Sequence, residues 1–236
     1  MPSMVRSGYS SLHATQLVNQ PNHWRDQWPN AHEAPTGLTL RSLGGPEHPI
    51  MSQYTKKTWT LGGCLADHRD VFIHLPRIAG AYIGPNAVDP HLNESVMVTV
   101  NSVNSCPYCE GLHGELARMA GVENPEGLMN AQSEDECRAF VDDPAISFAR
   151  MFAEHNGRGP AVEQALSALS ESTRPAYAKS VQGLCWFLLW GSIGGNTLNA
   201  FFARLAGNAK EGSSVLFELL FVVYYGPLFL IIATVN

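Results

Sequence analysis

The sequence predicts a predominantly helical fold on three observations. After residue 60, apolar side chains recur mainly at three- and four-residue intervals. Acid, proline and glycine punctuation falls where those runs begin and end, as at Asp89-Pro90 and Gly121. Only one short run, Val96, Val98 and Val100, alternates as a strand would.

Composition narrows the classes. The chain has 236 residues, 45% of them hydrophobic, which excludes disorder throughout. Only 15% are charged, against about 25% in ordinary soluble domains. That shortage implies surface covered by another subunit, by membrane, or by both. Lys and Arg number 15 against 21 acids, with no basic run, which argues against nucleic-acid binding. Five cysteines, Cys64, Cys106, Cys109, Cys137 and Cys185, are an odd set with one close pair, not a disulfide framework. A reducing, cytoplasmic setting is the expectation. The first 25 residues hold Arg6 and Arg25 and no acid, a composition also compatible with an organelle transit peptide.

Residues 1–58 read as an irregular N-terminal arm, with Pro21, Pro29, Pro35, Pro46 and Gly44-Gly45 breaking any period. Trp24, Trp28 and Trp59 argue that part of this arm docks. From about Leu65 to Tyr82, the residues Val71, Phe72, Leu75, Ile78 and Ala79 share a helix face, with Pro76 as a kink. Asp89-Pro90 starts the next element. Residues 92–103 fit a strand by β-branching and a helix by the spacing of Leu92, Val96, Val100 and Val103. A further helix is capped near Asn104-Ser105 and stops at Gly121. Helical runs follow around 134–140, 144–155, 161–170 and 175–190. Gly191, Gly194 and Gly195 then interrupt, and Asn196 or Thr197 caps a last piece ending at Gly207. Residues 215–235 are the most apolar stretch, with Glu218 its only charge and Gly226-Pro227 in its middle. Two readings stand for it: a buried or subunit-interface helix pair, and a membrane-inserted tail, which its length would allow.

The chemistry concentrates in Cys106-Pro107-Tyr108-Cys109-Glu110-Gly111-Leu112-His113. On a helix, Cys109 and His113 lie one turn apart on the face that Leu116, Ala117 and Ala120 continue, and Cys106 lies a turn earlier. Cysteines at a helix N-terminus feel the positive end of the dipole, which favours thiolate. An adjacent imidazole can carry the thiol proton. Sulfurs at i and i+3 can bridge reversibly, so one can attack and the other resolve. Three other readings compete. Zinc would need Cys106, Cys109, His113 and a fourth ligand such as Glu94. Covalent haem needs a histidine where Glu110 stands. Inert core thiols are the third. Asn93-Glu94-Ser95 also fits a glycosylation triplet, accidental if Glu94 belongs to a site. Cys64, Cys137 and Cys185 read as isolated thiols.

Glu94, twelve residues before a CxxCxxxH motif, together with Leu92-Asn93-Glu94 and the valine-rich stretch, resembles the AhpD-like alkylhydroperoxidase / carboxymuconolactone decarboxylase family. The likeness covers about residues 60–207, including the run from Asn199 to Gly207. It implies an all-α fold, with 59–207 as the helical domain, 1–58 the arm and 208–236 an apolar addition. It implies homo-oligomers, usually trimers or hexamers, and makes 92–103 a helix. It implies Cys109 as peroxidatic nucleophile, Cys106 as resolving thiol, and Glu94 with His113 as proton relay. The substrate would be a hydroperoxide, the reductant a lipoyl or thioredoxin-like dithiol, and no cofactor is called for. Tyr108 stands where the best-known bacterial peroxidase of the family has a histidine. The decarboxylase branch lacks the cysteine pair, which argues against that activity. The competing functions are a general disulfide oxidoreductase and a non-catalytic helical scaffold, with membrane contact through 215–235.

Overall fold

The computed structural model describes residues 54–235, with side chains as far as Pro227. The readings of residues 1–53, including Trp24, Trp28 and the transit-peptide composition, lie outside the described residues. Among the described residues there are nine helices and no strand, so the fold is all-α.

Helix α1 (Leu61–Tyr82) opens on Thr60, whose hydroxyl accepts the Gly63 N–H at 3.2 Å. It begins four residues before the periodic run, because Gly62-Gly63 dilute the apolar pattern there. Pro76 sits inside it. Helix α2 (Pro90–Asn104) starts as expected: Asp89 accepts the Leu92 N–H at 3.1 Å and Pro90 takes the first position. Val96, Met97, Val98, Thr99 and Val100 are all fully buried. A helix enclosed on every side shows no amphipathic period, which is why alternating valines mimicked a strand there.

Helix α3 (Pro107–Met119) corrects the expected cap. Asn104 ends α2, Ser105 adopts a left-handed conformation (φ 53°, ψ 44°), and Cys106 caps α3 with its own sulfur. An L-residue in that conformation costs about 1–3 kcal/mol and needs outside support. Short helices α4 (Pro125–Asn130) and α5 (Glu134–Phe140) lead to α6 (Pro144–Glu154). Gly159 (φ 98°) and Pro160 break the chain and in the same step start α7 (Pro160–Ser172).

The glycine interruption expected at 191–195 does not occur. Helix α8 runs unbroken from Pro175 to Leu205, 31 residues, or about 46 Å at 1.5 Å per residue. Gly194, Gly195, Asn196 and Thr197 are buried within it, so packing overrides their weak helix propensity. Asn196 and Thr197 use their side chains to hold neighbouring backbone rather than as caps. Asn196 Nδ2 donates to the Asn104 carbonyl at 2.7 Å, and Thr197 Oγ1 accepts the Trp59 N–H at 2.9 Å. Gly183 lets α1 approach α8: a Cβ there would stand 2.7 Å from the backbone of Arg77 and Ile78.

Helix α9 (Val215–Val235) is a single helix with Pro227 inside it, not a broken pair. Its one charge, Glu218, is buried and receives Arg204 Nε at 2.7 Å and Nη2 at 3.2 Å, a two-pronged pair that ties α9 to α8. Trp59, His68, Trp190, Phe221 and Tyr225 stack around the same junction. Trp190 Nε1 can only donate, so the His68 Nε2 it meets at 3.1 Å is an acceptor, and the ring is the Nδ1–H tautomer, donating to the Cys64 carbonyl at 2.6 Å. Over the described side chains, no helix is long and apolar enough to cross a membrane.

Candidate functional site

The α2–α3 corner assembles the site. Asn101, in the last turn of α2, clamps the Cys106 backbone from both sides: Oδ1 accepts its N–H at 3.0 Å and Nδ2 donates to its carbonyl at 3.3 Å. Lys56 supports the left-handed turn, its Nζ donating to the Ser105 carbonyl at 2.7 Å. With the turn so fixed, Cys106 Sγ lies 3.4 Å from the Cys109 N–H, occupying the place an N-cap oxygen would take.

The Cys109 thiol also hydrogen-bonds the Cys106 sulfur, and the pair is unbridged. That bond is the chief reason the Cys106 thiol is held below the ordinary cysteine range. Burial opposes it, while the Cys109 and Tyr108 amides and the Lys56 charge assist. The same interaction, together with burial, pushes Cys109 well above that range. Of the two thiols, Cys106 is therefore the first to ionise as pH rises. Both cysteines are buried, Cys106 wholly and Cys109 with 7% of its surface left exposed.

Glu94 and His113, paired in the family resemblance, come together: Glu94 Oε2 lies 2.8 Å from His113 Nδ1, with both side chains largely covered. A carboxylate only accepts, so in this pair Nδ1 carries the proton and Nε2 of the neutral ring is left to accept one. His113 follows Cys109 by one turn of α3. Of the four residues expected from sequence, Glu94 lies on α2, Cys109 and His113 on α3, and Cys106 at the cap between them.

Sequence reasoning missed three contributors. Lys56 and Tyr54 precede the helices, in a stretch whose composition carries no signal. Tyr54 donates to the Asn196 carbonyl at 3.0 Å. Burial, opposed by a bond to Asn199 and reinforced by the nearby Cys106 and Tyr108, raises its hydroxyl to about 12. Asn101 could have been suspected only as a buried polar residue ending a helix.

The other cysteines lie apart. Burial raises Cys64 to about 11, and Cys137 and Cys185 are also pushed up by burial. Among the described residues, no cluster of three or more His, Cys, Asp or Glu side chains is placed to hold a metal ion. Compared with models of known families, with curated proteins and with solved structures, the chain matches none.

Proposed function

We propose that the chain is a thiol-dependent peroxidase in which Cys109 and Cys106 cycle between dithiol and disulfide, with Glu94 and His113 as proton relay. The observation that carries this is the pair itself: two unbridged, buried, hydrogen-bonded cysteines, one acidified and the other not, one helical turn from a largely covered carboxylate–imidazole couple. The CxxCxxxH motif with its upstream glutamate, which resembles the alkylhydroperoxidase family, agrees with it.

In the first step, Cys109 attacks the terminal oxygen of ROOH as its thiol proton passes to His113. An S–O bond forms, the O–O bond breaks, and the leaving alkoxide takes that proton back from His113, giving ROH and a sulfenic acid on Cys109. The Cys106 thiol then attacks the Cys109 sulfur: an S–S bond forms, the S–O bond breaks, and the hydroxide leaves as water with the Cys106 proton, so a disulfide remains. Two electrons and two protons from a lipoyl or thioredoxin-like dithiol return the pair to its starting state. Exposed Phe72, Ile73 and Leu75 on α1 support self-association of the kind the resemblance implies.

A second reading rests on the charge at Cys106. A capped, acidified first cysteine suits attack on a disulfide, which would make the chain a general disulfide oxidoreductase. Peroxide consumption by the full chain with excess dithiol separates the two. Turnover should fall at least 100-fold in Cys109→Ser, and Cys106→Ser should accumulate a sulfenic acid on Cys109, detected by a dimedone-type probe and mass spectrometry. Full turnover in Cys109→Ser would overturn the assignment. Disulfide exchange without peroxide consumption would favour the second reading.

A further inference from the structure

Two clefts share the wall made by Trp59 and Thr60. The larger, about 390 Å³, is lined on its polar side by Lys57, Asn156, Arg158 and Lys210. The smaller, about 250 Å³, is lined on its apolar side by Leu61, Leu216, Phe217 and Leu220. Neither is used by the thiol chemistry.

Arg158 in the cationic end is paired with Asp67 and Asp70, but among the described residues neither lysine has an acid paired with it. Lys57 Nζ donates to the Ala153 carbonyl at 2.9 Å and to Asn156 Oδ1 at 3.2 Å, and Lys210 Nζ donates to the Lys56 carbonyl. None of the ion pairs among the described residues includes either lysine. The acids nearby are engaged elsewhere. Glu154, close enough to favour the charged form of Lys57, is held by Arg150 at 2.6 Å. Asp67 in the cleft wall takes Trp59 Nε1 and Arg158 Nη2, each at 2.6 Å. Burial pushes both ammonium groups below the ordinary lysine range. Two part-buried cations bonded only to neutral oxygens gain most from an incoming anion.

The other end is the reverse. Leu61, Leu216 and Leu220 are each 60% exposed or more, yet they stand in a concave wall. Apolar side chains so arranged gain by covering a hydrocarbon. The shared wall also holds Thr60, the cap of α1, so the positive end of a 22-residue helix lies between the two clefts.

We propose that the two clefts form one binding site for a single-chain anionic amphiphile, with a fatty-acid carboxylate on Lys57 and Lys210 and its hydrocarbon chain along Leu61, Leu216, Phe217 and Leu220. The site does not depend on the thiol reading.

Calorimetric titration of the delipidated full chain with acetate, octanoate, decanoate and dodecanoate, each below its micelle concentration, tests the proposal. Burying methylenes at about 0.8 kcal/mol each predicts affinity rising about fourfold per added carbon until the cleft is filled. The Lys57→Gln, Lys210→Gln double variant should bind dodecanoate at least tenfold more weakly, and Leu220→Ser several-fold more weakly, with far-UV dichroism unchanged in both. Lys210→Arg keeps the charge and should retain binding, which separates loss of charge from loss of fold. Four results would each overturn the proposal: dodecanoate binding no tighter than acetate; affinity unchanged in the double lysine variant; affinity unchanged in Leu220→Ser; and binding of anionic phospholipid vesicles without binding of monomeric dodecanoate.

Discussion

Each sulfur of the pair owes its state to groups that can be removed one at a time. Cys106 is acidified first by the Cys109 thiol, then by two amides and Lys56, against the cost of burial. The first thiol ionisation of the wild-type pair should therefore fall below that of an ordinary cysteine, about 8.5. Removing a donor should raise it. In Cys109→Ala and in Lys56→Met, the thiolate absorbance near 240 nm should appear at higher pH than in the wild type, with the larger displacement in Cys109→Ala. No change in either variant would mean that the charge is not where the geometry places it. Cys106, Cys109 and His113 stood out in the sequence because their spacing is helical and local, whereas Glu94 entered only through the family resemblance. Glu94 to His113 spans 19 positions, and even so two adjacent helices suffice to join them. Lys56 and Tyr54 were not legible, because they act across 49 and 142 positions, and no local pattern records such a meeting.

Helix starts were legible wherever a side chain caps them locally, as Asp89 does for α2. Misreadings arose where tertiary packing overrode local preference. The glycines of α8 looked like a break, yet burial against α1 and α2 keeps the helix whole. Helix α4 is six residues long, too short to show a period, and was not foreseen. Gly183 tests the packing argument directly. Its missing Cβ is the gap into which the Arg77–Ile78 backbone fits. Gly183→Ala improves helix propensity but overpacks this contact, and overpacking costs about 1–3 kcal/mol. The variant should unfold at lower urea concentration than the wild type, whereas alanine at exposed Gly62, which has nothing near it, should not show this loss.

Across the molecule, the low charge content read from the sequence reappears as apolar side chains left on the surface of α1 and α9. Which of them cover one another in an assembly was not legible, since composition carries no shape. A property of the whole fold follows from its buried hydroxyls and thiol. Burial raises Cys64 from 9.0 to about 11, and raises Tyr54 and Tyr225 from 10.0 to about 12. A folded-state value above the unfolded one means that the folded state holds its proton more tightly. The associated stability is fully present below the unfolded values and is lost as pH rises through the folded ones. Thermal unfolding followed by far-UV dichroism should therefore show no loss from these groups up to about pH 9, then a falling midpoint between about pH 9 and 12. A midpoint level across that window would contradict the burial of these groups.

The sulfur that closes the first turn of α3 has one further consequence. As a thiolate it receives the Cys109 amide, and once joined to its neighbour it becomes a poor acceptor, leaving that amide without its anchor. Oxidation to the disulfide would thus fray the start of the helix at the same time as it takes two electrons out of the pair. Deuterium uptake at this amide should quicken on oxidation and slow again on reduction, so the backbone itself becomes a gauge of the redox state of the pair.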